Sequence, residues 1–94
     1  MDSEQIAFVK NELRRDGYSI YVYSYPAGMC FGEHQHNYSK LHVVLSGLLR
    51  VTFEGEDHIL HSGDRLLVPA RTPHSAEVLG ETSVVCIDAT KFTM

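Results

Sequence analysis

The sequence predicts an all-β domain, a small jelly-roll β-barrel preceded by one short N-terminal helix. Three observations predict it. Helical periodicity is confined to the first turns of the chain, the period changes to two from Tyr18 onward, and turn residues then recur about every ten residues. The 94 residues suffice for one domain, near the lower size limit for a self-sufficient core, and no linker, repeat or low-complexity tract divides them. The expected organisation is a helix within residues 1–17 packed on a single barrel formed by 18–94.

In the helix, Ile6, Val9 and Leu13 recur at helical spacing, while Lys10, Arg14 and Arg15 fall mostly on other faces. Asp2 or Ser3 can cap its start and Gly17 its end. Strands are expected over 18–25, 29–36, 41–46, 48–53, 58–61, 65–68, 75–79 and 82–88. Turn residues separate them, notably Pro26-Ala27-Gly28, Glu54-Gly55-Glu56-Asp57 and Ser62-Gly63-Asp64. Eight short strands after one helix close best as a barrel, because closure limits exposed edges. Tyr21, Tyr23 and Tyr25 share one face of the first strand and are expected against the helix or a second subunit, or on a pocket wall.

Composition excludes several functions. Lys and Arg number 8 against 12 Asp and Glu, a formal charge of −4, and Lys10, Arg14 and Arg15 form the single basic cluster. Nucleic-acid binding requires concentrated positive charge, so no nucleic-acid partner is expected. No apolar stretch approaches bilayer-spanning length, so no membrane partner is expected either. Cys30 and Cys86 have no CxxC spacing and no secretory h-region precedes them, which predicts a cytoplasmic protein with reduced thiols.

The chemistry concentrates in histidines. His34 and His36 stand two apart on an expected strand, so both imidazoles leave one face and can converge on one ion. His74 follows Pro69 and Pro73 on a different strand and can close the site from across the barrel. His58 and His61 flank a hairpin and read as surface residues.

These positions fall into a spaced pattern. Gly28 is followed by five residues, His34-Gln35-His36, three residues, Lys40, six residues and Gly47. Gly63 is followed by five residues, Pro69-Ala70-Arg71, two residues, His74, three residues and Val78. The spacing resembles the two motifs of the cupins, and the chain is similar to small stand-alone bacterial cupins. The resemblance implies a cupin-type barrel in which His34, His36 and His74 hold one divalent transition metal, whether zinc, iron, manganese or nickel. Cupins associate through strands and apolar faces, so it also implies a homodimer.

Three positions depart from the family pattern. Lys40 stands where the motif has a glutamate ligand, Arg71 where it has a turn glycine, and Val78 where it has asparagine. A protonated amine repels a dication, so Lys40 is expected to point outward, to lose its proton, or to mark a site without metal. His42 lies two residues beyond Lys40 on the same strand face, either as a fourth ligand replacing the carboxylate or as a hydrogen-bonded core residue. Cys30 shares parity with His34 on a regular strand, which would put it at the cavity wall, though a buried, inert small hydrophobe is the commoner role. Arg71, three residues before His74, either reaches the carboxylate of a small-molecule substrate or, as is commoner, is an exposed turn arginine, whereas Glu77 should point away from the site.

Two functions fit. Three neutral imidazoles leave open positions for a small-molecule metalloenzyme of oxygenase or isomerase type. The alternative is a non-catalytic binding module, since the chain also resembles effector-sensing cupin domains of helix-turn-helix regulators. A third reading is a structural scaffold with a vestigial site.

Overall fold

The computed structural model describes residues 1–91. Helix α1 (Ser3–Arg15) is followed by strands β1 (Ser19–Tyr25), β2 (Cys30–His34), β3 (Lys40–Ser46), β4 (Leu48–Phe53), β5 (Glu56–Leu60), β6 (Arg65–Val68), β7 (His74–Leu79) and β8 (Val84–Thr90). The strands form two four-stranded antiparallel sheets, ordered β1-β8-β3-β6 and β2-β7-β4-β5. The expected all-β barrel with one leading helix is the observed architecture.

The ends of α1 follow from its sequence. The Asp2 carboxylate accepts the Gln5 backbone N–H at 2.8 Å, and the Gln5 side-chain carbonyl accepts the Asp2 N–H at 2.9 Å. This reciprocal pair satisfies donors that a helix start otherwise leaves open. At the other end Gly17 takes φ +92°, and the N–H groups of Gly17 and Tyr18 donate to the carbonyls of Arg14 and Leu13. Such a left-handed cap suits glycine, which has no Cβ to clash.

Burial divides into two clusters. Inside the barrel lie Val44, Leu49, Val51, Leu60, Val68, Val78 and Val84, contributed by both sheets. On the outer face of the first sheet, Val9 and Leu13 of α1 cover Val43, Leu45, Ile87 and Ala89. Strands β3 and β8 are therefore buried on both faces, which is why Val43-Val44-Leu45 and Val84–Ile87 read as continuous apolar runs. Leu13 is only 1% exposed, and full burial of one such side chain contributes about 1.5–3 kcal/mol.

This packing rules out the helix contact for the tyrosine stripe, while Tyr25 lines the barrel cavity. The helix packs on the opposite face of β1, through Ile20, and leaves Tyr21 and Tyr23 exposed. Tyr25 turns inward, with its ring edge-to-face against Phe31 at 4.9 Å. Boundaries also differ from expectation. β5 begins at Glu56 rather than at residue 58, because Glu54 and Gly55, both at positive φ, make a two-residue hairpin loop. β8 runs on to Thr90, where pairing with β1 and β3 continues.

Gly47, the last residue of the first spaced motif, links β3 to β4 at φ +86°. A Cβ there would lie 2.5 Å from the Ser83 carbonyl oxygen and 2.8 Å from Val84 Cα, so no other residue fits without backbone movement.

Candidate metal centre

The three histidines reach one place by three different routes. His34 ends β2 and is the register partner of His74, which begins β7. His36 lies beyond the strand, in the loop before β3, not on the strand expected to carry it. Its carbonyl accepts the Arg71 backbone N–H at 2.6 Å, tying that loop to the turn before β7.

Register between Phe31 and His34 is interrupted by a bulge. Phe31 and His34 both face the cavity although they are three residues apart, which a regular strand forbids. The same bulge corrects the expectation for Cys30. It pairs with Glu77 in the register and is exposed, away from the cavity. Glu77 points away from the site as expected and forms an ion pair with Arg50.

Ligand atoms of His34, His36 and His74 all lie within 4.8 Å of one another. Two ligands at about 2.1 Å from a shared zinc ion lie at most about 4.2 Å apart, so slight ring movements suffice for all three to share one ion. Their tautomers favour it. His34 Nδ1 sits 2.7 Å from the Gly32 carbonyl oxygen and His74 Nδ1 2.9 Å from that of Thr72. Only a protonated nitrogen donates to a carbonyl, so Nε2 of each ring keeps its lone pair. His36 Nε2 is buried without a hydrogen-bond partner. A buried nitrogen left unsatisfied is costly, and a metal ion would satisfy it. The residues present therefore fit a divalent transition metal.

Electrostatics act in the same direction. Burial lowers the pKa of His36, and the charges of Lys40 and the neighbouring histidines add to the effect. Burial also lowers that of His74, partly opposed by its hydrogen bond to Thr72. Both shifts favour the neutral ring, the form that ligates.

Opposite them, on the first sheet, lies a second cluster. Asp88 of β8 is buried and is the register partner of His42. Its Oδ1 is 2.9 Å from His42 Nδ1, and its Oδ2 is 3.7 Å from Lys40 Nζ. Burial alone would raise the Asp88 pKa, but the hydrogen bond and charge of His42, with the charge of Lys40, more than offset it and lower the net value. Lys40 therefore points inward, contrary to the outward orientation considered above, with a carboxylate beside it. His42 stands apart from the three-histidine group, with Nδ1 committed to Asp88.

Asp88 is the site residue that sequence reasoning missed. The signal was an acid at the parity of Val84 and Cys86 in an apolar strand, obscured by expecting the strand to end there. Arg71 is exposed and does not line the cavity, in keeping with the exposed turn arginine and not with the substrate contact. What it contributes is its backbone, at φ +58°, in the turn position where the motif has glycine. His58 stacks on Phe53 and His61 is exposed near Asp64, both away from the site.

The two clusters, His36 excepted, border a cavity of about 90 Å³. His34, His74, Lys40, His42 and Asp88 mark one end, and Phe31, Leu49, Val51 and Ala76 make apolar wall. Cys86 also borders it, but burial and the nearby Asp88 push its thiol pKa up to about 12, which disfavours the reactive thiolate.

Comparison with known proteins agrees with this geometry. The profile of the cupin domain matches residues 21–90, most of the chain. The chain belongs to the cupin family. A search of curated proteins finds no match. Among solved structures, this cupin is similar to KdgF from Halomonas sp. at 26% identity and TM-score 0.69, over 81% of this chain and 71% of that one. It is similar to the DMSP lyase DddQ from Ruegeria pomeroyi at 24% identity and TM-score 0.73, covering 84% of this chain but only 40% of the lyase. The cupin domain of Schizosaccharomyces pombe Cnp3 superposes with TM-score 0.75 at 17% identity, over 81% of this chain and 56% of that one. The last two likenesses establish the fold and no more. No helix among the described residues is long and apolar enough to cross a membrane.

Proposed function

We propose that this cupin binds one divalent transition metal through His34, His36 and His74 and acts with it on a small molecule, as an oxygenase or isomerase. The observation carrying the reading is the buried, unpartnered His36 Nε2, grouped with two rings whose Nδ1 positions are already taken by backbone carbonyls. When bound, such an ion supplies Lewis acidity, or with iron a redox centre. The chain's own residues hold neutral imidazoles in place and enclose the reacting volume in apolar wall. Asp88 orients His42 through Nδ1, leaving its Nε2 free to exchange a proton with a bound molecule.

Calorimetric titration of chelator-treated protein with zinc, manganese, iron(II) and nickel tests this. One equivalent should bind, and His36→Ala and His74→Ala should abolish or strongly weaken it. Failure of every metal to bind at one equivalent refutes the reading. Oxygen consumption by iron-loaded protein with candidate substrates separates oxygenase from isomerase.

One observation favours a second reading, a non-catalytic binding module: Lys40 occupies the place of the motif's carboxylate ligand. Thermal stabilisation of metal-free protein by small organic acids or sugars, without turnover, would support it.

A further inference from the structure

The position that carries a carboxylate in the cupin motif carries an ammonium here, and the cavity's charge is altered accordingly. Asp88 is the single acid lining the cavity among the described residues, and both its oxygens face partners, His42 and Lys40. Lys40 and Asp88 balance one another. A dication on three neutral imidazoles would then bring two positive charges to which no protein group responds. A glutamate at position 40 would have cancelled one of them.

Lys40 also has donor capacity to spare. Its Nζ lies 3.7 Å from Asp88 Oδ2, too long for a normal hydrogen bond, and its side chain is 17% exposed. A largely buried ammonium with three N–H donors and no short acceptor is organised to receive an oxyanion.

Volume and lining set the size and class of that anion. About 90 Å³ holds roughly three water molecules' worth of matter. Registers place Lys40, His42 and Asp88 towards one end of the first sheet, whereas Val51 and Leu49 lie progressively farther along β4 from the His74 end. A charged end facing an apolar floor suits one carboxylate on a short hydrocarbon tail. A second carboxylate would be buried against Leu49 and Val51 without a cation.

We infer that the cavity binds a short monocarboxylate, its carboxylate recognised by the Lys40 ammonium beside the three histidines and its tail on the Leu49–Val51 floor. The inference rests on the metal reading for its full charge count, but Lys40 provides a test that stands apart from it. Acetate and its neutral isostere acetamide are titrated by NMR into zinc-loaded and metal-free protein, observing the Lys40 side chain and the Val51 and Ala76 methyls.

Acetate should shift all three sets saturably in zinc-loaded protein, with acetamide at least tenfold weaker. Lys40→Met should lower acetate affinity at least tenfold, and Lys40→Arg should retain most of it. Metal-free protein should bind acetate more weakly, with the same dependence on Lys40. Equal binding of acetate and acetamide overturns the inference. So does acetate binding that leaves the Lys40 signals unmoved, since the anion would then be held by zinc alone. If Lys40→Met fails to fold, the wild-type contrast of acetate with acetamide at the Lys40 signals decides. Zinc stoichiometry is measured separately. One equivalent of zinc with no acetate response sinks the carboxylate site and leaves the metal site standing, whereas a Lys40-dependent acetate response without zinc binding does the reverse.

Discussion

The two sheets contribute opposite kinds of polar group to one cavity. On the β2–β7 side, His34, His36 and His74 make no hydrogen bond to one another; His34 and His74 use Nδ1 on backbone carbonyls, and His36 Nε2 has no partner. On the β3–β8 side, the two oxygens of Asp88 face His42 and Lys40, which ties the acid into the sheet. The first set is open and awaits a metal; in the second Asp88 is closed, with both oxygens facing partners, and Lys40 keeps N–H donors for a bound anion. Metal affinity should therefore depend on the histidine side, and stability of the metal-free barrel on the Asp88 side.

The largest expected effect breaks the closed side. Asp88→Ala leaves Lys40 and His42 without their carboxylate in a buried position, and loss of one partner from such a cluster costs about 3–5 kcal/mol. In a domain of this size each kcal/mol is worth about 4–8 °C, so the melting temperature of metal-free protein should fall by well over 10 °C. Urea unfolding followed by circular dichroism measures it. A loss below about 1 kcal/mol would show that the cluster is solvated and not closed. Asp88→Asn, which keeps an acceptor for His42, should cost less.

The open side should respond in the other currency. His74→Ala removes a ring held by one backbone carbonyl, and zinc affinity should drop by about 100-fold or more, roughly 2.7 kcal/mol. Metal-free stability should change less than in Asp88→Ala. Calorimetry and unfolding on the same two variants test the crossover directly, and variants that change both quantities equally would erase the distinction between the sheets.

Acidity offers a smaller perturbation. His36 and His74 have lowered pKa values in the folded state, while unfolded histidine titrates near 6.5. Below that value the unfolded chain binds more protons than the folded one, so stability is full above about pH 6.5 and is lost as pH falls. Metal-free protein should melt progressively lower between pH 7.5 and 5.5. His36→Gln combined with His74→Gln should flatten that slope, and an unchanged slope would place the titrating groups elsewhere.

The comparison also explains what was legible in the sequence. The helix, the strand count and the three histidines follow from periodicity and spacing, because period two and local turn residues are encoded within a few positions. Asp88 was not legible, since its partners are 46 and 48 residues away and only the β3–β8 register brings them together. Cys30 was misplaced because a bulge, which changes parity without any local residue signal, separates it from His34. Lys40 posed a question that the sequence framed correctly but answered too narrowly: its charge is matched from a neighbouring strand.

The smallest expected effect concerns Arg71, where the chain departs from the motif glycine. Its φ of +58° disfavours a residue with a Cβ by about 1–2 kcal/mol, while glycine in its place would restore roughly 0.5–1 kcal/mol of unfolded-chain freedom. Arg71→Gly should therefore leave stability within about 1 kcal/mol of the parent, tending towards a gain. Its backbone N–H still reaches the His36 carbonyl, so zinc affinity should change less than threefold. Arg71→Pro removes that N–H and cannot adopt positive φ, so it should loosen the His36 loop and weaken zinc binding far more. If glycine weakened zinc binding as much as proline, the arginine side chain and not its amide would be holding His36 against the opposite turn.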